Sequence, residues 1–514
     1  MSHTVVVPTI GRDSLRVTLD ALLASAAGGE GAPHEIIVVD DRPVPGAPLP
    51  LPLPPPGGPG IRVLRSGGRG PAAARNTGWR AAATEWVAFL DDDVVPGPGW
   101  CARLADDLAG LPPGVAGSKG RVRVPPPDGQ RPTDWERGTA GLADADWITA
   151  DMAYRRGVLA GTGGFDERFR RAYREDADLA LRVLDAGHRL VRGTREITHP
   201  VRPAGPWASV RAQAGNADDV LMWRLHGRSW RARAGEGPGL LRRHAATTLA
   251  GLAALVTVPP ALVAARRRPP RRGRVTGIAL VSGTVWAALT ARFAAERIRP
   301  GPRTGAEVAL MLVTSAVIPP VAIRHRIRGL LAHRRARPWA GPRVVLFDRD
   351  DTLIRDVPYN GDPRRVEPMP GARRALDRLR RHGVRIGVVS NQSGVAKGRI
   401  TAGDVRRVNA RVEELLGRVD VWEFCPHDGD DGCACRKPLP GMIERAARRL
   451  GARPSDCAVI GDIGGDVEAA AAAGARGILV PTGRTLPVEI ARAPETAPTL
   501  EAAVDLLLGG GRSR

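Results

Sequence analysis

Short, nearly continuous apolar runs alternate along this chain with stretches of helical periodicity. In residues 1–230 the runs are "TVVVPT", "EIIVVDD", "IRVLRS" and "EWVAFLDDD". Strands alternating with helices predict a mostly parallel sheet covered on both faces. The rhythm stops near residue 231. It restarts at 341 with "RVVLFDRDDTL", "RIGVVSNQSG", "CAVIGDIGGD" and "ARGILVPTG". Each of these ends in polar residues, where a doubly wound sheet places its ligands. The pattern divides the chain into an α/β domain over 1–230, a different segment over 231–340 and a second α/β domain over 341–514. Residues 43–60, rich in Pro and Gly, read as an extended surface insertion.

The middle segment has its own pattern. Residues 245–265 form a 21-residue run without charge, interrupted by Pro259-Pro260, and 275–291 and 308–323 are uncharged runs of 17 and 16 residues. A membrane span needs about 20 apolar residues, with a range of about 17–25. The first run qualifies, the second sits at the edge and the third is short. All are rich in Ala, Gly and Thr, so a soluble helical linker competes with a membrane-associated one.

A chain of 514 residues calls for about three domains, which agrees with this division. Only 4% of residues are aromatic, so aliphatic side chains and alanines must build the cores. The net charge of +22 is concentrated, because residues 201–340 hold 24 arginines against five acids. A nucleic-acid partner would call for a basic face on a folded module, with stacking aromatics. Here the charge brackets apolar runs, which suits anionic lipid headgroups. The plain alternative is an arginine-rich chain with solvated arginines. No nucleic-acid partner is expected; an anionic membrane surface is. Five cysteines, and an opening that reads as strand and turn rather than as a leader, give the expectation of a cytosolic, reducing compartment.

"VVLFDRDDTL" places Asp348 and Asp350 just past a buried strand. Carboxylates at i and i+2 converge on one ligand when the backbone turns there. One attacks phosphorus and the other delivers a proton to the leaving oxygen. A divalent metal would hold both ionised and neutralise the phosphate. Ser390, closing "RIGVVSNQ", can donate to a phosphoryl oxygen, and Lys437 supplies a fixed positive charge. Asp462 in "VIGDIGGD" completes a metal site, with Asp466 nearby. Just before Lys437, Cys425, His427, Cys433 and Cys435 offer three sulfurs and one nitrogen, with five residues between the two halves. Zinc takes such a set tetrahedrally, and a filled shell marks a structural site. A redox pair is disfavoured because the spacings are C-x-H and C-x-C rather than C-x-x-C. Cys101 and Cys457 read as core or surface thiols.

Residues 343–485 resemble the haloacid-dehalogenase-like (HAD) phosphatases through "DRDDTL", "SNQSGVAKG", "CPH…CxCRKPLPGM" and "GDIGGDVEAAAAAG". The branch is the one holding heptose 1,7-bisphosphate phosphatase and the histidinol-phosphatase domain. The resemblance implies Asp348 as nucleophile and Asp350 as general acid/base. It implies Mg²⁺ on Asp348, the Asp350 backbone carbonyl and Asp462. Ser390 and Lys437 would bind the phosphoryl group, with Thr352, Asn391 and Arg436 at the substrate and a zinc loop bordering the pocket. Two positions depart from the family. Asp351 stands where glycine is usual, adding charge and straining the turn, and Lys397 stands where arginine is usual.

At the other end, "VVVPTIGR", "VVDD", "GPAAARNTGW", "FLDDD", "TADMAYRR", "GGFDERF" and "REDADLALR" resemble, in that order, the inverting nucleotide-sugar glycosyltransferases of the GT-A fold. The resemblance implies that Asp93, with Asp91, binds Mg²⁺ or Mn²⁺ and the diphosphate. Asp40 would contact the nucleotide and Asp176, beside Glu175, would be the catalytic base. His199 would approach the diphosphate or sit satisfied in its loop. A glycine-rich dinucleotide site is excluded, since no G-x-G-x-x-G follows the first strand.

The expectation is therefore two doubly wound, mostly parallel-sheet domains, GT-A-like and HAD Rossmann-like, joined by an apolar, arginine-rich helical segment. The chain would act on a sugar phosphate and a nucleotide sugar, in the cytoplasm at the inner face of the membrane. Histidinol phosphate is the rival substrate, and a silent lipid-bound scaffold the rival class. Cytosolic substrates at both ends require an even number of spans, and the basic stretches 266–274 and 324–337 should face the cytoplasm. The first run then does not simply cross, and its Pro-Pro pair suggests a re-entrant or surface-lying hairpin. The second and third runs would form one hairpin with 292–307 outside, although that loop carries four arginines.

Overall fold

The computed structural model describes residues 2–27, 29, 31–44, 46–127, 129–265, 272–334, 336 and 342–508, with the backbone alone at 260–265 and 272–276. The basic residues 266–271, expected on the cytoplasmic side, lie outside this set.

The first domain carries β1 (His3–Thr9), β2 (Glu35–Asp40), β3 (Gly60–Arg65), β4 (Trp86–Leu90), β5 (Val95–Pro96), β6 (Val115–Arg123), β7 (Asp151–Arg155) and β8 (Arg189–Thr198). They form one sheet in the order β3-β2-β1-β4-β7-β6-β8-β5. The β3-β2-β1-β4 half is parallel. β7 runs antiparallel to both β4 and β6, and β6 is parallel to β8. Successive side chains of a strand point to opposite faces. Val5 and Val7 accordingly pack with Leu15, Leu19 and Leu22 on one side, and Val6 with Ala72, Ala74 and Trp79 on the other. Strand order reverses between β1 and β4, and at such a switch the strands' carboxyl ends open a crevice for a ligand.

The last domain is a five-stranded, wholly parallel sheet, β11-β10-β9-β12-β13. Its strands are β9 (Val344–Phe347), β10 (Arg385–Asn391), β11 (Val421–Cys425), β12 (Cys457–Gly461) and β13 (Arg476–Leu479). Asp348 follows β9, Ser390 lies within β10, Cys425 ends β11 and Asp462 follows β12. The chemistry thus gathers at one edge of the sheet.

Three long helices join the domains: Leu241–Ala265, Arg272–Ile298 and Gly305–Ala332. The first two are antiparallel. His244 meets Phe293 with ring centroids 5.4 Å apart, Gly251 abuts Trp286, and the hydroxyls of Thr257 and Ser282 are 3.4 Å apart. The first helix runs unbroken through Pro259-Pro260, and the third contains Pro319 and Pro320. The prolines therefore do not turn the first run back on itself, as its Pro-Pro pair suggested. A proline removes an intrahelical bond and bends a helix, but around Pro319-Pro320 packing holds the third helix together. Ile318, Pro319 and Ala322 are buried.

Candidate active sites

In the first domain, a cleft of about 1200 Å³ opens over the carboxyl ends of β1, β2 and β4, and Asp91, Asp92, Asp93, Glu175, Asp176 and His199 line it. Each acid has a distinct partner. Asp92 accepts from Thr9 Oγ1 and Arg12 Nη1, both at 2.6 Å. Asp91 accepts from Arg75 Nη2 at 2.7 Å, and the same guanidinium donates to Glu175 Oε1 at 2.8 Å. Asp93 faces Arg202 at 2.9 Å, with His199 Nε2 3.8 Å away. Burial and the neighbouring Asp91 push the Asp93 carboxyl up despite Arg202. Burial and Asp176 push Glu175 up to about 8, and burial raises Asp176. Acids that raise one another in a cleft fit a divalent cation with oxygen ligands.

Asp176 lies in the first turn of helix Glu175–Asp185 and accepts from Ala177 N at 2.7 Å. The chain enters that helix through Arg174 at φ 79°, whose guanidinium reaches Asp219 at 3.0 Å and stacks on Trp230. Asp40 stands beside the cleft rather than in its lining, and Arg42 occupies both of its oxygens at 2.7–3.0 Å. Burial opposes its charge, but those bonds hold it below the usual carboxylate range. Asp41 does line the cleft, and it fixes the loop there by accepting from Ser66 Oγ, Arg69 N and Gly70 N. Arg75 was not singled out from the sequence. Its partners lie 16 and 100 residues away, so only the quoted "GPAAARNTGW" hinted at it.

In the last domain, one oxygen each from Asp348, Asp462 and Asp466 lies within 4.8 Å of the others, all buried. Lys437 Nζ sits 2.5 Å from Asp348 Oδ1 and 2.5 Å from Asp466 Oδ1, and donates to Val389 O at 2.9 Å. Burial pushes Asp348 up to about 8, with Lys437 opposing and Asp466 and Asp350 adding to the rise. Asp462 rises to about 7 for the same reasons, burial first and then Asp466. Three carboxylates and one ammonium leave negative charge to neutralise, and the all-oxygen donor set fits Mg²⁺. Asp350 turns aside to accept from Gln392 Nε2 at 2.8 Å, Ser390 Oγ at 3.4 Å and Arg349 at 3.0 Å. Thr352 Oγ1 donates to Asp462 at 3.3 Å. Asp351 has φ 51°, the left-handed region that favours glycine, so the expected strain is present. Asp466 enters here as a full member of the cluster, and Gln392 is a contact that the sequence did not single out.

Beside this cluster stands the cysteine loop. Cys425 Sγ lies 3.7 Å from Cys433 Sγ and 3.3 Å from Cys435 Sγ, and His427 Nδ1 lies 3.5 and 3.3 Å from Cys425 and Cys435. These separations exclude disulfides, whose S–S length is about 2.05 Å. A tetrahedron with Zn–S of about 2.3 Å has S···S edges of about 3.7 Å, which the set approaches. Against burial, the backbone N–H groups of Cys435 and Arg436 pull the Cys433 thiol down to about 6, toward the thiolate that zinc needs. The loop continues into Arg436 and Lys437 at the carboxylate cluster. Arg436 Nη1 donates to His427 O at 3.2 Å, and Asn391 bonds both ways with the Lys437 backbone at 3.1 and 3.2 Å. Lys397 Nζ lies 3.4 Å from Asp428 of the same loop.

Comparison with known proteins follows the same division. Residues 4–178 match the family described as Glycosyl transferase family 2, and residues 434–507 match the HAD-hydrolase-like family. The D-glycero-beta-D-manno-heptose-1,7-bisphosphate 7-phosphatase of Pseudomonas aeruginosa is 39% identical over 146 residues, 27% of this chain and 82% of that protein. The D-glycero-alpha-D-manno-heptose-1,7-bisphosphate 7-phosphatase of Mycobacterium tuberculosis is 35% identical over 157 residues, covering 28% and 80%. The crystal structure of the Bordetella bronchiseptica D,D-heptose 1,7-bisphosphate phosphatase with magnesium and phosphate is 30% identical. It covers 33% of this chain and 99% of that one, with a TM-score of 0.30.

Proposed function

Because the chain belongs, through its C-terminal domain, to the HAD-like heptose 1,7-bisphosphate 7-phosphatases and carries a family-2 glycosyl transferase domain ahead of it, we propose that it removes the 7-phosphate of a heptose 1,7-bisphosphate at one end and transfers a sugar from a nucleotide sugar at the other. The observation carrying the first half is the buried cluster of Asp348, Lys437, Asp462 and Asp466. Asp348 attacks the phosphorus while the bond to the sugar oxygen breaks, and Asp350 protonates that oxygen as it leaves. Asp350 then takes a proton from the water that attacks the aspartyl-phosphate, freeing phosphate. Ser390 and Lys437 hold the phosphoryl oxygens. Mg²⁺, held by Asp348, Asp462 and the Asp350 carbonyl with Asp466 beside them, supplies charge neutralisation. Zinc on Cys425, His427, Cys433 and Cys435 is structural.

In the transferase, Asp91 and Asp93 hold Mg²⁺ or Mn²⁺ for the nucleotide diphosphate, with Asp40 near the nucleotide. Asp176 removes the proton of the acceptor hydroxyl. The exposed apolar helices and their arginines support a place at the inner face of the cell membrane. The test is phosphate release by the full chain from both anomers of heptose 1,7-bisphosphate and from histidinol phosphate. Turnover of a heptose bisphosphate should dominate and vanish in Asp348→Asn. Preference for histidinol phosphate would refute the substrate, and activity retained in Asp348→Asn would refute the nucleophile.

A further inference from the structure

By length and composition, residues 277–298 and helix Gly305–Ala332 are both able to cross a membrane. Their contacts separate them. Helix Gly305–Ala332 touches the glycosyl transferase domain at its start and end, and in its middle is tied to it through Arg297 of the second helix. Asp134 N donates to Glu307 at 3.3 Å, near the start. At the middle, the hydroxyls of Thr314 and Ser315 accept from Arg297 at 2.8 and 3.0 Å, and Arg297 in turn bonds Asp134 at 2.7 Å. Near the end, Gly329 lies so close to Ala217 that an added Cβ would stand 2.8 Å from its backbone. The stretch 307–329 is about 33 Å long at 1.5 Å per residue, against a hydrocarbon core of about 30 Å. Pinned to the polar domain at both ends of that length, the helix is not free to cross a bilayer as a separate span, although Leu312 and Val313 on it stay about half exposed. These contacts argue against the spanning hairpin expected of the second and third runs.

The other two helices face outward. Leu249, Leu252, Leu255 and Val256 on the first, and Leu280 and Val281 on the second, are each more than half exposed. Both ends of this hairpin are basic. Arg242, Arg243, Arg292 and Arg299 lie at the end nearest the transferase, and residues 266–274 at the other end contain six arginines in sequence. Between residues 237 and 306 the chain has one acid, Glu296, paired with Arg243 at 2.7 Å. Arginines at both ends of an apolar pair suit a single headgroup layer. Crossing would carry six arginines to the far side, against the positive-inside bias.

We infer that helices Leu241–Ala265 and Arg272–Ile298 lie in the plane of one leaflet of an anionic phospholipid membrane, with helix Gly305–Ala332 as the strut that fixes the transferase above it. The inference rests on the membrane placement proposed above and specifies its geometry. The test uses the full chain and vesicles of phosphatidylcholine with about a third phosphatidylglycerol. The protein should float with these vesicles and not with pure phosphatidylcholine. Leu255→Glu/Val281→Glu, both at exposed positions, should weaken flotation at least about tenfold and leave phosphatase turnover unchanged. In expressing bacterial cells, trypsin should cut within 266–274 in inverted membrane vesicles and not in intact spheroplasts. Cutting in spheroplasts would overturn the in-plane geometry while leaving membrane association standing. Failure to float, equal flotation with neutral vesicles, or flotation indifferent to the double substitution would overturn the lipid surface itself. A lipid-free dimer broken by the double substitution, without flotation, would assign the apolar face to a second copy of the chain.

Discussion

Replacing Cys433 with serine tests whether the zinc loop acts on catalysis or only on stability. Residues 426–434 contain few apolar side chains and sit at the surface, held by local hydrogen bonds and the Lys397–Asp428 pair, so the proposed zinc would supply much of their order. Fixing nine residues costs on the order of 10 kcal/mol in backbone entropy, which a tetrahedral site offsets and a three-ligand site does not. The consequence for Lys437 is bounded by its other anchors. Its backbone keeps two hydrogen bonds to Asn391, and Cys435 stays packed with Met442 and Ile443. Lys437 is therefore displaced rather than lost, and Arg436 loses its carbonyl partner on His427. Displacing a supporting group in this way lowers kcat/KM by about 10–100-fold, or about 1.4–2.7 kcal/mol of transition-state stabilisation. Zinc content by elemental analysis, phosphate release and thermal melting of the full chain check this together. Cys433→Ser should lose zinc, raise KM for the phosphomonoester and fall well short of the complete loss in Asp348→Asn. Loss of zinc with unchanged kcat/KM would refute the link between loop and phosphate site.

Asp351→Gly should raise the melting temperature, because glycine relieves the positive φ by up to about 1 kcal/mol, partly offset by the lost bond from Asp356 N to the carboxylate. Unchanged or lower stability would show that the aspartate is not strained there. Asp176→Asn should abolish sugar transfer, read as acceptor-dependent release of nucleoside diphosphate, and leave phosphate release intact; a fall in both would contradict two separate sites. The Asp134–Arg297 pair gives a pH signature. Burial raises the Asp134 carboxyl, but Arg297 and Ser209 outweigh it and hold it below its ordinary 3.8. A depressed carboxyl stabilises above the unfolded value and loses that contribution as pH falls through the folded one. The exchange protection of helix Gly305–Ala332, taken relative to the intrinsic rate at each pH, should fall in acid below about pH 4 and, in Asp134→Asn, already at neutral pH.

The strand-end chemistry was legible because a parallel sheet brings carboxyl ends together whatever the loops do. Asp348, Ser390 and Asp462 could be named from apolar runs alone, and the metal-type spacing of Cys425, His427, Cys433 and Cys435 survives folding because it is local. Contacts across long sequence distances were not legible. Arg75 joins Asp91 to Glu175 only after helix Pro71–Ala81 packs on β1 and β2. The apolar run 308–323 reads as membrane-like, yet Thr314 and Ser315 within it serve a buried arginine from another helix. Hydropathy counts those hydroxyls as small and tolerable in lipid; the structure spends them on a protein contact. The pair Pro259-Pro260 suggested a turn in the first run, yet the helix continues through it to Ala265.

The two catalytic domains also meet directly, through charges that would be expensive to leave alone. Arg80 of the transferase is buried between Glu167 of its own domain, at 3.6 Å, and Glu495 of the phosphatase domain, at 3.7 Å. Glu495 is held in turn by Arg476 of β13 at 2.6 Å. Burial, with Arg476 nearby, pulls the Arg80 guanidinium down to about 10 against the two glutamates. Glu167 also binds Arg69 at 3.1 Å, in the loop that Asp41 organises over the transferase cleft. Gly67 of that loop approaches Ala471, in the phosphatase helix Gly464–Ala473 that carries Asp466 in its first turn. Removing one member of a buried charge set costs about 3–5 kcal/mol because its partner is stranded. The chain Arg69–Glu167–Arg80–Glu495–Arg476 therefore resists separation more than its modest individual distances suggest. The fusion is thus more than two enzymes on one string: the loop that shapes one cleft and the helix that carries a carboxylate of the other are parts of the same packed interface.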